Sequence, residues 1–192
     1  MTDPARAHSS ASVSTPPDGP AAATIVPLLS LLDELAVVLR GLDHAQYVCR
    51  PVAPMTGSVG GHVRHSLDHL RAWASAGAMG RIDYEKRQRD TAVEHDRQAA
   101  LAEIALLRAA VAAMATADLA MPVRVTVMMG SDQPPLELMS SLGREAAFVL
   151  SHTIHHNAII GAMVRSLGGL TPATFGYAPS TLAYLKQSPC AR

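Results

Sequence analysis

Apolar residues recur at a helical spacing through most of this chain, and that period restricts it to packed helices more than any other feature does. Ile25, Leu28, Leu29, Leu32, Leu35, Val38 and Leu39 predict a first helix over 24–42, with Pro27 in its first turn. Ser58 is the expected N-cap of a second helix over 58–76, ended by Gly77 and Gly80. Thr91 and Glu94 have the spacing of a capping box and open a third helix reaching 116, with Leu101, Ile104, Leu107, Val111 and Met114 turned inward. Ser140 or Ser141 caps a fourth, which ends near 167 before Gly168-Gly169. The period changes between the third and fourth, where Val123, Val125 and Val127 alternate with Arg124 and Thr126, and residues 136–139 can return as a second strand. The pattern predicts an all-α, antiparallel four-helix bundle with a short β-hairpin between helices 3 and 4.

The chain has 192 residues, enough for one domain with its own core. Residues 1–22, rich in Ala, Ser, Thr and Pro, read as a disordered tail; 23–186 form the bundle, and 187–192 a short C-terminal tail. Residues 43–57 read as a connection, and 81–90 as a polar run without a buried stripe. Sixteen basic residues balance sixteen acidic ones, which leaves no electrostatic footprint for nucleic acid or anionic membrane. Aromatic residues make up 4%, too few for a base-stacking platform. The uncharged apolar stretch at 21–32 is short of the roughly 20 residues of a membrane span, and no basic segment precedes it as in a secretion signal. Cys49 and Cys190 lie in no metal or redox spacing, so a reduced, cytoplasmic setting is expected.

The unusual residue is histidine. There are nine, and six of them sit in two short clusters. His152 and His156 are spaced i, i+4 on the fourth helix, so both imidazoles leave one face a turn apart, a spacing that lets two side chains grip one metal ion. On the second helix, His62, His65 and His69 lie within roughly 60° of one another at 100° per residue. One of them can supply a third nitrogen across the bundle, and three neutral imidazoles leave coordination positions open for water or substrate. His62, His69 and His155 each read singly as supporting or structural residues, and spacing does not choose among the three on the second helix. His44 and His95 read as surface residues, and Trp73 as core.

The segments Ser58-Val59-Gly60-Gly61-His62-Val63-Arg64-His65-Ser66-Leu67-Asp68-His69 and Glu145-Ala146-Ala147-Phe148-Val149-Leu150-Ser151-His152-Thr153-Ile154-His155-His156 resemble the DinB/YfiT-like superfamily of four-helix metalloenzymes. The resemblance extends over about 24–185. It implies one metal-binding histidine seven residues after the Ser that opens the second helix, here His65, and two more at His152 and His156. The runs at 83–90 and 175–181 look like those of one bacterial branch. Relatives include bacillithiol transferases, mycothiol-dependent maleylpyruvate isomerases and the helical domain of ergothioneine-forming sulfoxide synthases. The resemblance therefore implies a divalent transition metal, often a low-molecular-weight thiol as partner, and a homodimer. Gly60 and Gly61 depart from the family, where larger residues are usual, and weaken the helix start by up to about 1 kcal/mol each.

Glu145 lies about 20° from the face of His152 and is the candidate proton carrier or ligand-orienting carboxylate; a helix N-terminal charge is the alternative. Tyr84, Arg87 and Arg89 are the candidate substrate-binding residues, since an Arg beside an aromatic ring can hold a carboxylate or phosphate; a solvated loop is the alternative. The expected function is metal-dependent chemistry on a small molecule, as a thiol S-transferase or a hydrolase. A non-catalytic metal-binding stress-response module is the competing reading. Three imidazoles suit Zn first, with Ni and Fe(II) as the other choices.

Overall fold

A computed structural model describes residues 19–50 and 57–187. Four long helices carry the fold: α1 (Pro20–Arg40), α3 (Val59–Met79), α5 (Arg97–Ala113) and α6 (Leu142–Ser166). Shorter elements are α2 (His44–Val48), α4 (Ala92–His95), α7 (Pro179–Gln187) and a 3₁₀ turn at Met114–Thr116. The strands are β1 (Arg81–Asp83), β2 (Pro122–Val127) and β3 (Leu136–Ser141). α1 packs on α5 and α6, and α3 packs on the same two helices. Leu28, Leu32, Leu35 and Leu39 of α1 share one core with Leu67, Leu70 and Trp73 of α3 and Leu142, Ile160 and Met163 of α6. Burial of these side chains contributes roughly 1.5–3 kcal/mol each. The chain is thus mostly helical with a small sheet.

Several expected boundaries move for local physical reasons. α1 begins at Pro20, so residues 20–22 belong to the helix, while 1–18 lie outside the described residues. Pro27 then falls inside α1 rather than in its first turn, where its missing N–H leaves the Ala23 carbonyl without its usual donor. The connection after α1 contains α2, whose Asp43 and Gln46 close a capping box; Pro51 and Pro54 lie outside the described residues. α3 runs past Gly77, and Gly80 stops it in the left-handed region at φ 61°.

The expected capping box at Thr91 does not form. Thr91 makes no side-chain cap, and the Glu94 carboxylate instead accepts from Arg64 Nε at 3.0 Å. The third helix is broken at Asp96, whose extended backbone ends α4 and whose Oδ1 accepts from the Gln98 N–H at 2.8 Å to start α5. Asp competes for backbone N–H groups, and here the later of two capping residues governs the long helix.

The polar run at 81–90 also departs from expectation. Its first three residues are β1, which pairs parallel with β2, while β2 pairs antiparallel with β3. The hairpin is therefore part of a three-stranded sheet in the order β1-β2-β3. Ile82, Val123 and Val125 point to the core, and Arg81, Arg124 and Glu137 to the outside. Tyr84, the residue after β1, is buried at 5% exposure. The strand thus places Tyr84 and Arg87 beside the histidines of α3 and α6.

α1 and the 97–116 segment are long and apolar enough to cross a bilayer by length and composition alone. Here both contribute to the shared core, α1 through the leucines above and α5 through Ile104, Leu107 and Val111. Cys49 is a free thiol, and Cys190 lies outside the described residues.

Gly60 has a packing reason. A Cβ there would lie 2.1 Å from the Glu94 carbonyl oxygen and 2.8 Å from the Tyr47 ring, so glycine lets α4 close onto α3. At Gly61 a Cβ meets only ordinary contacts, the nearest at 3.4 Å. Gly60→Ala is therefore expected to cost about 1–3 kcal/mol through overpacking. Gly61→Ala is expected to be neutral or slightly stabilising, because it lowers the entropy of the unfolded chain. Thermal melts of the two variants check this contrast.

Candidate metal centre

α3 and α6 bring five imidazoles together. His65 Nε2 lies 3.1 Å from His152 Nε2, and His62 Nδ1 lies 3.1 Å from His156 Nδ1. The ring centroids of His65, His152 and His156 are 4.9, 4.6 and 4.5 Å apart, taken as 65–152, 65–156 and 152–156. His69 joins them, 4.6 Å from His65 and 4.0 Å from His152 by centroid. His65, His69 and His152 each offer one nitrogen within 4.8 Å of the others, close enough to hold a metal ion. His155 is exposed, its ring 5.2 Å from His156.

Local structure explains this convergence. Ser58 caps α3 by accepting from the Gly61 N–H at 3.0 Å, and Ser141 caps α6 by accepting from the Arg144 N–H at 3.2 Å. Trp73 Nε1 donates to the Leu142 carbonyl at 3.0 Å, tying the start of α6 to α3. The helical spacing then stacks His62, His65 and His69 opposite His152 and His156.

The hydrogen bonds set tautomers. His69 Nδ1 lies 3.0 Å from the His65 carbonyl oxygen. A carbonyl can only accept, so His69 Nδ1 carries the proton and Nε2 keeps a lone pair. Burial pushes the imidazoles below their ordinary value, with mutual repulsion added: His65 to about 2, His156 to about 3 and His152 to about 4. His69 is lowered as well, chiefly by burial, although its bond to the His65 carbonyl acts the other way. His65, His69, His152 and His156 are therefore neutral at physiological pH, which is the state a metal requires of imidazole.

Aromatic side chains wall the cluster. The Tyr84 ring stacks on His69 with centroids 5.1 Å apart, and Phe148 stacks on His152 at 5.7 Å. Tyr84 OH donates to Glu145 Oε2 at 2.9 Å, and Ser140 Oγ donates to Glu145 Oε1 at 2.7 Å. Arg144 Nη1 stands 3.3 Å from that same Oε1. The Glu145 carboxylate, 4% exposed, is thus fully engaged beneath Tyr84. Burial and the Glu145 charge raise the Tyr84 phenol, which remains protonated. Arg87 reaches the cluster directly, with Nη1 3.1 Å from His65 Nδ1. Arg89 is exposed, two residues further on. Phe175 and Gly176 of the C-terminal segment sit against α6 at Asn157, Ala158 and Gly161.

Two residues of this site escaped the sequence reading. Phe148 precedes His152 by four residues and so shares its face, a signal that was present. Ser140 lies on the inward face of β3, opposite Val123, and the strand's length had to be known before it could be placed.

Residues 28–160 match the family model of the DinB superfamily. A segment of 107 residues, 55% of this chain, is 35% identical to "FK506-binding protein 5" of Rhizopus delemar. The chain spans 28% of that protein's length.

The lowered imidazoles carry a stability consequence. An unfolded imidazole titrates near 6.5. Between that value and the folded values, the unfolded chain binds more protons, so folding stability falls as pH drops through this window and is regained as pH rises. The metal-free protein is expected to melt at a lower temperature near pH 5 than near pH 7, and His65→Gln to flatten that dependence. Thermal melts across this range, compared between the two proteins, measure the difference.

Proposed function

This chain belongs to the DinB superfamily, and from that premise we propose that it is a metal-dependent enzyme acting on a small molecule, built on an antiparallel four-helix bundle. The proposed ligands are His65, His152 and His156, with Zn as the first choice of metal and Ni or Fe(II) next. The observation that carries the reading is the set of neutral imidazoles facing one another from α3 and α6. Their chemistry fits a borderline divalent cation, which prefers imidazole nitrogen and needs it deprotonated.

A divalent ion held there would lower the pKa of a bound water or thiol and polarise a substrate atom. The surrounding residues have separate tasks. Tyr84 and Phe148 exclude water from one side of the imidazoles and orient His69 and His152 by stacking. Glu145 holds Tyr84 in place by accepting its phenol O–H, and it is the proposed proton carrier. Thiol S-transfer is the preferred reaction class, since a divalent ion at such a centre would favour deprotonation of a thiol at neutral pH. Hydrolysis is the second. A low-molecular-weight thiol, a cytoplasmic setting and a homodimer accompany this reading.

One observation favours a different ligand set. One nitrogen each of His65, His69 and His152 also lies within 4.8 Å of the others, and His69, with its Nδ1–H given to the His65 carbonyl, keeps a lone pair on Nε2. If four imidazoles close around the ion, a structural metal-binding module results. Metal content of the purified, untagged protein and its variants separates these readings. His152→Ala is expected to lose most of the bound metal, and His155→Ala almost none. Loss in His156→Ala with retention in His69→Ala identifies His156 as the third ligand; the reverse identifies His69. In the native protein, zinc at 100 times its dissociation constant should stabilise the fold by about 2.7 kcal/mol. Failure of every variant to alter metal content would overturn the reading.

A further inference from the structure

Arg87 meets His65 in a way that bears on how the site loads. Arg87 Nη1 lies 3.1 Å from His65 Nδ1. A guanidinium has only donors and keeps its proton in proteins, so His65 Nδ1 accepts. In a neutral imidazole the proton then sits on Nε2, and that N–H faces His152 Nε2, 3.1 Å away. Both nitrogens of His65 are thereby occupied. A metal ion on Nε2 requires the proton on Nδ1, where it would oppose the guanidinium N–H. A metal ion on Nδ1 requires the space that the guanidinium fills. By either nitrogen, ligation by His65 displaces Arg87.

We propose that Arg87 and the metal ion compete for His65, and that the guanidinium released on loading pairs with a carboxylate of the substrate. The proposal rests on the reading above that His65 is a ligand, and it deepens that reading by naming a substrate class. Arg87 remains at the rim after release, because its Nη2 stands 3.4 Å from Glu85 Oε2, while Glu85 Oε1 is fixed by the Met128 N–H at 3.0 Å. That long contact leaves the other edge of the guanidinium for a bidentate partner. Beyond the Glu85 carboxylate, the walls beside it are imidazoles and the rings of Tyr84 and Phe148. Glu145 is already satisfied by Tyr84, Ser140 and Arg144. A metal ion together with a freed guanidinium therefore selects an anion, and the planar fork of Arg suits a carboxylate. Binding linkage makes the effect reciprocal: an anion on Arg87 strengthens metal binding by the same factor that metal strengthens anion binding.

The test measures Zn²⁺ affinity by competition with a chromophoric chelator, in sodium chloride and in sodium acetate of equal ionic strength. The native protein, Arg87→Gln and His152→Ala are compared, the last giving the level of binding without an intact site. A glutamine can turn its carbonyl oxygen toward an Nδ1–H of His65, which a guanidinium cannot do. In chloride, Arg87→Gln is expected to bind Zn²⁺ about fivefold or more tightly than the native protein. Acetate is expected to tighten Zn²⁺ binding by the native protein by about fivefold or more, and to leave Arg87→Gln unchanged. Equal or weaker Zn²⁺ binding by Arg87→Gln in chloride would overturn the competition. Acetate acting alike on both proteins, or on neither, would overturn the carboxylate role. Native protein that binds no more Zn²⁺ than His152→Ala would overturn the metal reading itself, and the proposal with it.

Discussion

The packing of α3 against α6 is the constraint from which the rest of the site follows. Every histidine of the cluster stands on one of these two helices, so their relative register decides which imidazoles meet. That register is held by the buried apolar contacts of Leu67, Leu70 and Val149 and by the bond from Trp73 Nε1 to the Leu142 carbonyl. The cap at Ser58 and the close approach at Gly60 hold the start of α3 against α4 and the Tyr47 ring. A helix turn of slip would separate His65 from His152 by about 5.4 Å and dissolve the cluster.

The sheet has a different task. Alone, three short strands would be marginal. Packed on the core through Ile82, Val123 and Val125, they place Tyr84 against His69 and bring Arg87 to His65. The segment that links α3 to α4 thus forms part of the wall of the site as well as a connection. Glu145 completes this wall from beneath: a buried carboxylate is costly unless it is bonded, and Tyr84, Ser140 and Arg144 supply the bonds.

Much of this was legible in the sequence because it is local. The four long helices follow from apolar period, and the meeting of His152 with His156 from i, i+4 spacing. The cap at Ser58 was readable for the same reason, and the fourth-helix cap was narrowed to Ser140 or Ser141, of which Ser141 forms it. What was not legible depends on partners distant in sequence. β1 exists because residues 81–83 find β2 some forty positions later, and no three-residue period announces that pairing. The break at Asp96 depended on which of two capping residues would prevail, with Glu94 drawn away by Arg64. The histidine faces were visible, but the role of each nitrogen was not. That role is set for His69 by a backbone carbonyl and for His65 by Arg87.

The proposed metal centre is an open set of three histidines between α3 and α6. A crystal structure of the zinc-loaded protein, with anomalous data at the zinc edge, decides whether it exists. One ion is expected, bonded to His65, His152 and His156 at roughly 2.0–2.1 Å, with a fourth position held by water or a small anion. An ion enclosed by four protein ligands, or one bound away from these helices, would contradict it.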